Sequence, residues 1–340
     1  MPYWIGATRS PDRRISAWNG ALVNKLHDET APLRGAMVEE LRALGGIRSE
    51  PVAAAFRAVP RHLFAPDASV QLAYAANATV WPKFDGAGRM TSTVSAAHIQ
   101  AVQLEQADIR PGMRVLEIGS GGYNAALMAA MVGAAGEVTS IDIDPEIVDR
   151  ARTCLDAAGY PQVRTVVADG ATAAPEHGPY DRIVVTARSW DIPPAWVEQL
   201  APDGRLVVPL GLRGVTRTVA LDRADGDGDG DGDGDGDGAW LTGADVRLCS
   251  FVPMQGVGAH EDLVALVPAA VTGGDYGPGR VQLRTDGISH ADITAMAARI
   301  GAAINGPTRH DPVVVWTGVE FDHVDDLDLW LCLRLRPRSF

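Results

Sequence analysis

The spacing of apolar and polar positions along the chain predicts helices on its N-terminal side and buried strands in its middle. Leu33, Met37, Leu41 and Leu44 recur at intervals of three and four residues, so they lie on one face of a helix. The run RVLEI at 114–118 is short, continuous and apolar, as in strands that are buried on both faces. The chain therefore combines helices with buried strands.

Between residues 95 and 210, predicted strands alternate with predicted helices. This alternation indicates βαβ units and an α/β fold with a doubly wound, mostly parallel sheet. The strands are expected at 114–118, 137–142, 163–168, 181–186 and 205–210, and the helices at 95–108, 123–133, 145–158 and 193–200.

The flanking segments are expected to add N-terminal helices, an antiparallel terminal hairpin and a C-terminal α+β extension. Helices are predicted at 21–45 and 50–58, and a loop with short extended pieces at 59–90. The segments 215–222 and 245–253 alternate between apolar and polar residues like antiparallel strands.

Three parts of the chain are predicted: an N-terminal arm with helices (1–90), a core (91–253) and a C-terminal extension (254–340). Within the core, 225–238 is a run of seven Asp-Gly pairs, which buries no apolar surface and repels itself, so a disordered loop is expected. Calcium binding is the alternative, but the run lacks the spacing and the closing Glu of an EF-hand. In the extension we expect strands at 281–284 and 312–319 and a helix at 290–303.

Composition and charge fit a reduced, cytoplasmic protein that binds neither nucleic acid nor membranes. The 340 residues are 46% hydrophobic, enough for a sizeable core, without an apolar run long enough for a membrane helix. The N-terminal MPYWIGATRSPDRR has no apolar segment of a secretory signal. Three scattered cysteines exclude a disulfide framework and a CxxC zinc site, and no metal site is predicted. The net charge of −13 opposes polyphosphate binding, although seven of the negative charges belong to the Asp-Gly run.

A glycine turn at 115–123 (VLEIGSGGY) carries the strongest chemical signal. It joins a predicted strand to a predicted helix, and glycines there let a ligand approach the helix N-terminus. Asp142 ends the next strand, where a carboxylate binds ribose hydroxyls, and Asp169-Gly170 ends the third strand. This pattern predicts a nucleotide-type cofactor; the alternative is a plain tight turn with Asp142 as a solvated cap.

An NAD site is the natural competitor for this pattern. Its fingerprint GxGxxG needs a third glycine, and here Gly122 is followed by Tyr123 and Asn124 instead. Glu117, two residues before the first glycine, resembles the acid of the first motif of class I S-adenosylmethionine-dependent methyltransferases.

Further segments follow in the order seen in protein-L-isoaspartate O-methyltransferases, and the chain resembles this family over roughly residues 35–260. Runs such as RMTSTVSAAHI (89–99) and SFVPMQGVGAH (250–260) resemble more closely the actinobacterial branch found beside ribosomally made, modified peptides, including FxLD-system, lanthipeptide, graspetide and lasso-peptide clusters. The segments that carry the family resemblance are VPRHLF (59–64), Thr93-Val94-Ser95, LEIGSGGY (116–123), SID (140–142), ADG (168–170), PYDRIVVT (179–186), LAPDGRLVVPLG (200–211) and FVP (251–253).

Two departures from the repair enzymes concern the cofactor turn and the acceptor motif. The repair enzymes usually carry GxGxGY, and this turn is one residue shorter. Their Thr-Ile-Ser-Gln-Pro is replaced by 93–97 (TVSAA), which lacks the Gln and the Pro.

The resemblance implies S-adenosyl-L-methionine as cofactor, S-adenosyl-L-homocysteine as product and a carboxylate of a peptide or protein as acceptor. It places the cofactor against the glycine turn, the strand ends and the start of the following helix. The residues expected to bind it are Glu117, Gly119, Ser120, Gly121, Gly122, Tyr123, Asn124, Asp142, Ile143, Asp169, Gly170 and Thr186.

Thr93, Ser95 and His98 are the expected catalytic residues on the acceptor side. Ser95 matches the serine of the family motif, and its alternative role is to cap the helix predicted at 95–108. His98 lies three residues further on the same helical face, where it would meet the substrate carboxylate or else be solvated or buried. Trp190 follows the fourth strand, where it would cover the site or pack in the core.

The leading hypothesis is methylation of an Asp carboxylate in a cyclised ribosomal peptide, leading to succinimide or isoaspartate. The alternative is repair of isoaspartyl residues in damaged proteins. From other classes, a catalytically dead peptide-binding module and an NAD oxidoreductase remain open; intact Asp142 and Asp169 argue against the dead module.

Overall fold

The computed structural model describes residues 29–86, 88, 90–119, 121–212, 215–224, 240–259, 263–266 and 281–284. The chain divides into two compact units. The first comprises Met1–Leu210 and Thr218–Ala259, and the second comprises Gly211–Arg217 and His260–Phe340.

The N-terminal helices are confirmed where they are described. Helix α1 spans Ala31–Ala43 and α2 spans Glu50–Ala58, whose first turn is capped by the Ser49 side chain. The expectation of a loop after α2 is only partly right, because a 3₁₀ turn at Arg61–Phe64 and a short helix α3 at Val70–Ala73 follow.

An antiparallel hairpin precedes the next helix. Strand β1 spans Val80–Phe84 and β2 spans Met90–Val94, with register shifts along the pair. Helix α4 spans Ala97–Ala107, and Ala96 takes the capping position, so the interpretation of Ser95 as the cap is wrong. The carbonyl of Ser95 accepts a hydrogen bond from the buried Arg61 guanidinium at 2.7 Å instead, which ties Ser95 to the segment before the hairpin.

Seven described strands form the main sheet: β3 (Arg114–Ile118), β4 (Glu137–Asp142), β5 (Arg164–Val167), β6 (Tyr180–Val185), β7 (Leu200–Leu212), β8 (Val215–Ala224) and β9 (Trp240–Cys249). Their order in the sheet is β5-β4-β3-β6-β7-β8-β9. Strand β3 pairs in parallel with β4 and β6, β4 pairs in parallel with β5, and β6 pairs in parallel with β7. The α/β fold class with a mostly parallel sheet is therefore confirmed. Three further helices connect the strands: α5 (Tyr123–Val132), α6 (Pro145–Ala157) and α7 (Pro194–Gln199).

The C-terminal strands depart from the expected boundaries. The strand expected at 205–210 begins earlier, at Leu200, and 201–204 form an irregularity within β7, since Tyr180 pairs with Leu200 and Arg182 pairs with Arg205. Strand β9 ends at Cys249 rather than at 253.

In the second unit, β10 (Leu263–Leu266) pairs antiparallel with β11 (Val281–Arg284), which confirms the strand expected at 281–284. The Asp-Gly run at 225–238, the helix at 290–303 and the strand at 312–319 lie outside the described residues.

Successive residues of the central strands bury opposite faces of the sheet. Val115 and Val184 pack against α1, α2, α4 and α5, whereas Leu116 and Ile183 pack with Trp196 of α7 on the other face. Helices therefore cover both faces, as a parallel sheet requires. No helix among the described residues is long and apolar enough to cross a membrane.

Candidate active site

A cavity of about 520 Å³ opens at the carboxyl ends of β3, β4 and β6. The chain runs from β3 to β4 and β5 on one side and then returns to place β6 on the other side of β3. Ligands of open α/β sheets bind at such a reversal of strand order, and this volume suits a small molecule.

The glycine turn forms the floor of the cavity. Gly119 and Gly121 line it, as expected, and Gly119 has φ +100, a conformation that side chains rarely adopt. A Cβ on Gly119 would lie 2.5 Å from the Thr186 hydroxyl, which donates to the Gly119 carbonyl at 2.7 Å. The turn can therefore take this conformation beside Thr186 only because Gly119 has no side chain.

Asp142 lines the cavity at the end of β4, as predicted from the sequence. Its Oδ1 accepts a hydrogen bond from the Asp144 backbone N–H at 2.9 Å, which fixes the carboxylate at the start of α6. Ile143 also lines the cavity, with 36% of its surface exposed, and gives the acid an apolar neighbour. A carboxylate beside an apolar surface suits the ribose and base of a nucleoside.

Glu117 lies beneath the turn rather than in the cavity wall. Its side chain is fully buried in β3, and the Ser140 hydroxyl on β4 donates to its Oε2. Burial raises the pKa of Glu117 to about 7, against the opposing hydrogen bond from Ser140. Its expected direct contact with the cofactor stays a prediction.

Tyr123 and Asn124 are buried in the first turn of α5 and do not line the cavity. The Tyr123 ring packs between Phe56 and Phe64, and the Arg61 guanidinium lies 4.7 Å from its centre. The Tyr123 ring is thus directed towards the N-terminal helices, and the expected contact of Tyr123 and Asn124 with the cofactor stays a prediction.

Gly122, the next glycine of the turn, serves packing rather than the cavity wall. A Cβ on Gly122 would lie 3.2 Å from Phe64 and from Ala151, so this glycine allows close packing of α5 rather than access to the cavity. Ser120 lies outside the described residues.

The third strand contributes Gly170 rather than the Asp169 side chain to the cavity wall. The Asp169 carboxylate accepts hydrogen bonds from the backbone N–H groups of Ala171 and Val257, both at 2.9 Å. Asp169 therefore caps the turn that follows the strand, and its expected contact with the cofactor stays a prediction. Trp196 donates its indole N–H to the Gly170 carbonyl at 2.7 Å and supports the turn from below.

Thr93, Ser95 and His98 all line the opposite side of the cavity. The Thr93 hydroxyl donates to the Val80 carbonyl at 3.0 Å and so holds the hairpin strands together. His98 lies against Gly46, where a Cβ would come within 2.8 Å of the imidazole ring. The residues predicted for the acceptor and those predicted for the cofactor therefore line the same cavity.

Two further parts of the wall were missed as site elements. The hairpin residues Met90, Thr91 and Ser92 line the cavity, and so does the segment 250–255. Arg188 fixes that segment, since its backbone N–H donates to Val252 at 2.8 Å and its carbonyl accepts from Met254 at 2.9 Å. The apolar FVP run at 251–253 was the sequence signal for this part of the wall, but its pattern predicts a strand. The neighbouring Trp190 is 38% exposed and is not part of the wall.

A doubly wound sheet with a glycine turn after its first strand and an acid at the end of the next defines a class I S-adenosylmethionine-dependent methyltransferase. Residues 33–233 match the family model "Protein-L-isoaspartate(D-aspartate) O-methyltransferase (PCMT)", and the chain belongs to this family. Enzymes of this family use S-adenosylmethionine.

Curated relatives support the same family. The chain is 40% identical over 233 residues to protein-L-isoaspartate O-methyltransferase of Hyperthermus butylicus, covering 66% of this chain and 88% of the relative. The corresponding enzyme of Pyrococcus horikoshii is 44% identical over 175 residues, with coverage of 51% and 76%.

Solved structures show the same fold. A protein-L-isoaspartate O-methyltransferase superposes with a TM-score of 0.57 at 23% identity, over 78% of this chain and 90% of that one. A putative family member from Plasmodium falciparum, in complex with S-adenosyl-L-homocysteine, gives 0.52 at 18% identity, over 65% and 98%. The expected family and fold are therefore confirmed, whereas the narrower resemblance to the branch beside modified peptides is not shown.

Proposed function

We propose that this protein methylates the free carboxylate of isoaspartyl residues in proteins or peptides, with S-adenosylmethionine as methyl donor. One observation carries the proposal: a single cavity is lined by Gly119 and Asp142 on one side and by Thr93 and Ser95 on the other. The donor and acceptor motifs thus meet at one cavity.

The residues of the wall fit the cofactor. Gly119 and Gly121 present backbone to the cavity, the Asp142 carboxylate can accept from ribose hydroxyls, and Ile118, Ile141 and Ile143 supply apolar surface for the base.

The bound cofactor supplies a methyl group on a sulfonium; in the transfer the carboxylate O–CH₃ bond forms, the S–CH₃ bond breaks, and S-adenosylhomocysteine is released. An isoaspartyl carboxylate is ionised at neutral pH, so it needs no strong base. The protein's contribution is to hold the acceptor oxygen in line and to exclude water. Attack of the following backbone nitrogen on the ester then releases methanol and leaves a succinimide.

Ser95 is the residue best suited to hold the acceptor carboxylate. It lines the cavity, and its hydroxyl does not cap α4, because Ala96 occupies that position without a side-chain bond. The Thr93 hydroxyl is instead bound to the Val80 carbonyl, so its role is to shape the hairpin. His98 adds a second donor on the same wall.

Mass spectrometry of methyl transfer to a generic isoaspartyl peptide tests the proposal, with its normal aspartyl counterpart as the matched control. We expect a gain of one methyl group on the isoaspartyl peptide only. Ser95→Ala should lower kcat about 100-fold, as for loss of a positioning group, while S-adenosylhomocysteine affinity and the unfolding midpoint stay unchanged. Methylation of neither peptide by a protein that binds the cofactor would overturn the acceptor assignment.

An encoded Asp in a cyclised ribosomal peptide is the second candidate substrate. Ala96 and Ala97 stand where the repair enzymes carry Gln and Pro, and Ala96 lines the cavity, so the acceptor wall is altered at this point. The same assay with a cyclised precursor peptide separates the two. Exclusive methylation of the precursor would favour this candidate over the repair activity.

A further inference from the structure

The β1–β2 hairpin has one side in the cavity wall and is tied elsewhere to the start of α6. Thr91, Ser92 and Thr93 of β2 line the cavity. Lys83 of β1 is paired directly with Ser92 of β2 across the hairpin, so the position of Lys83 is linked to that of a residue in the cavity wall. A contact that fixes Lys83 therefore also fixes the acceptor wall.

Lys83 forms two ion pairs with the first turn of α6. Its Nζ lies 2.5 Å from Asp144 Oδ2 and 2.7 Å from Glu146 Oε2. The side chains of Lys83 and Asp144 are 28% and 27% exposed, whereas that of Glu146 is 80% exposed. Exposed ion pairs contribute little, so the pair with Asp144 is the one that matters.

Asp144 connects Lys83 to the cofactor side of the cavity. Its backbone N–H donates to Asp142 Oδ1 at 2.9 Å, and its own Oδ1 caps α6 by accepting from the Glu146 N–H at 3.0 Å. Asp144 is therefore held rigidly beside the strand end that carries Asp142, and Lys83 attaches the hairpin to this fixed point.

Two further contacts hold the hairpin. The Arg150 guanidinium lies over the Trp81 ring, 3.7 Å from its centre, and fixes the hairpin further along α6. Across the cavity mouth, Gln255 donates a single hydrogen bond at 3.2 Å to the Thr91 carbonyl. A neutral, exposed bond of this kind is weaker than a charge-assisted one.

We propose that Lys83 is a positioning residue: by pairing with Asp144 it holds the acceptor wall of the cavity against the strand end that carries Asp142. The proposal rests on the proposed function for the identity of the ligands that the two sides bind. Loss of the pair loosens the acceptor wall relative to the strand end and weakens binding on both sides, although Lys83 touches neither ligand.

Isothermal titration of S-adenosylhomocysteine compares Asp144→Asn with Glu146→Gln. Both variants remove one charge next to Lys83 on the same helix turn, and Asn caps helices as well as Asp does. We expect Asp144→Asn to weaken binding about fivefold, as for loss of a partly buried ion pair, and Glu146→Gln to stay within about twofold.

Lys83 itself is tested by Lys83→Met and Lys83→Arg. The methionine variant should match Asp144→Asn in affinity and raise KM for the acceptor with little change in kcat, and the arginine variant should restore both. Salt should weaken the wild type more than Lys83→Met, because only the wild type has the ion pair to screen. Unfolding midpoints check that all variants fold.

Equal effects of Asp144→Asn and Glu146→Gln, or wild-type affinity in Lys83→Met, would overturn the positioning role. The binding comparison needs no acceptor substrate. If the wild type binds S-adenosylhomocysteine but methylates no isoaspartyl peptide, the proposed function fails while the role of Lys83 is still decided by the affinities.

Discussion

Replacing Glu117 by glutamine removes a charge from the sheet directly below the glycine turn. The fully buried carboxyl is desolvated in β3, and the neighbouring Asp142 also disfavours its ionisation. The hydrogen bond from Ser140 acts in the opposite direction but does not compensate, so the pKa rises from 4.5 to about 7. Glutamine keeps an acceptor for the Ser140 hydroxyl and has no charge to desolvate.

The sign and size of the effect follow from this pKa difference. As the pH rises from about 4.5 to 7, the unfolded chain ionises at Glu117 while the folded chain holds the proton, so the folded state loses stability. Each pKa unit corresponds to about 1.4 kcal/mol, which gives a penalty of about 3 kcal/mol at pH 8 and under about 1 kcal/mol at pH 5. The variant lacks this penalty.

Urea unfolding of the ligand-free protein measures the difference between Glu117→Gln and wild type at pH 5 and pH 8. The advantage of the variant should grow by about 2 kcal/mol between the two. Glu137→Gln, with a side chain 52% exposed on the next strand, controls for net charge and should change stability by less than about 1 kcal/mol. An advantage that is equal at both pH values would show that Glu117 ionises normally in the folded protein and refute the reasoning.

Two further substitutions test the cavity floor and its support. Gly119→Ala places a Cβ 2.5 Å from the Thr186 hydroxyl at φ +100. The affinity for S-adenosylhomocysteine, measured by calorimetry, should therefore fall at least about tenfold. The control Gly133→Ala, at φ +66 in open space, should leave this affinity unchanged. Trp196→Phe removes the indole N–H from the Gly170 carbonyl and should lower the free energy of unfolding by about 2 kcal/mol in urea titration; an unchanged value would contradict the role of this bond.

Segments with a clear period and clear ends were predictable. The strands at 114–118 and 137–142 are found at those residues. The first is an apolar run bounded by turns, which has one way to be buried, and the second lies where the alternation of strands and helices requires the next strand. The β1–β2 hairpin was missed, since VWPKF and MTSTV contain proline and polar residues and become strands only by pairing with each other. Local propensity does not encode such a partner.

The candidate site was predictable where a residue's role follows from its place at a strand end. Asp142 and Gly119 are of this kind, and both line the cavity. Tyr123 was not, because the direction of a side chain in the first turn of α5 depends on the helices packed above it, where Phe56 and Phe64 surround the ring. The wall segment 250–255 was missed for a related reason, because Arg188, to which its backbone is hydrogen-bonded, is distant in sequence.

Features that cost folding stability collect around this cavity. Glu117 is an acid buried in a strand, Gly119 has φ +100, and Trp81 is a non-glycine residue with φ +55 in the hairpin that forms the wall. Glu117 and Trp81 would be replaced at a gain in stability if packing alone were selected, since unstrained apolar residues fold more readily, whereas Gly119 is the residue that its own dihedral requires. Their position on β3, its turn and the hairpin agrees with a role of these elements in ligand binding, and the Lys83–Asp144 pair ties the hairpin to the start of α6.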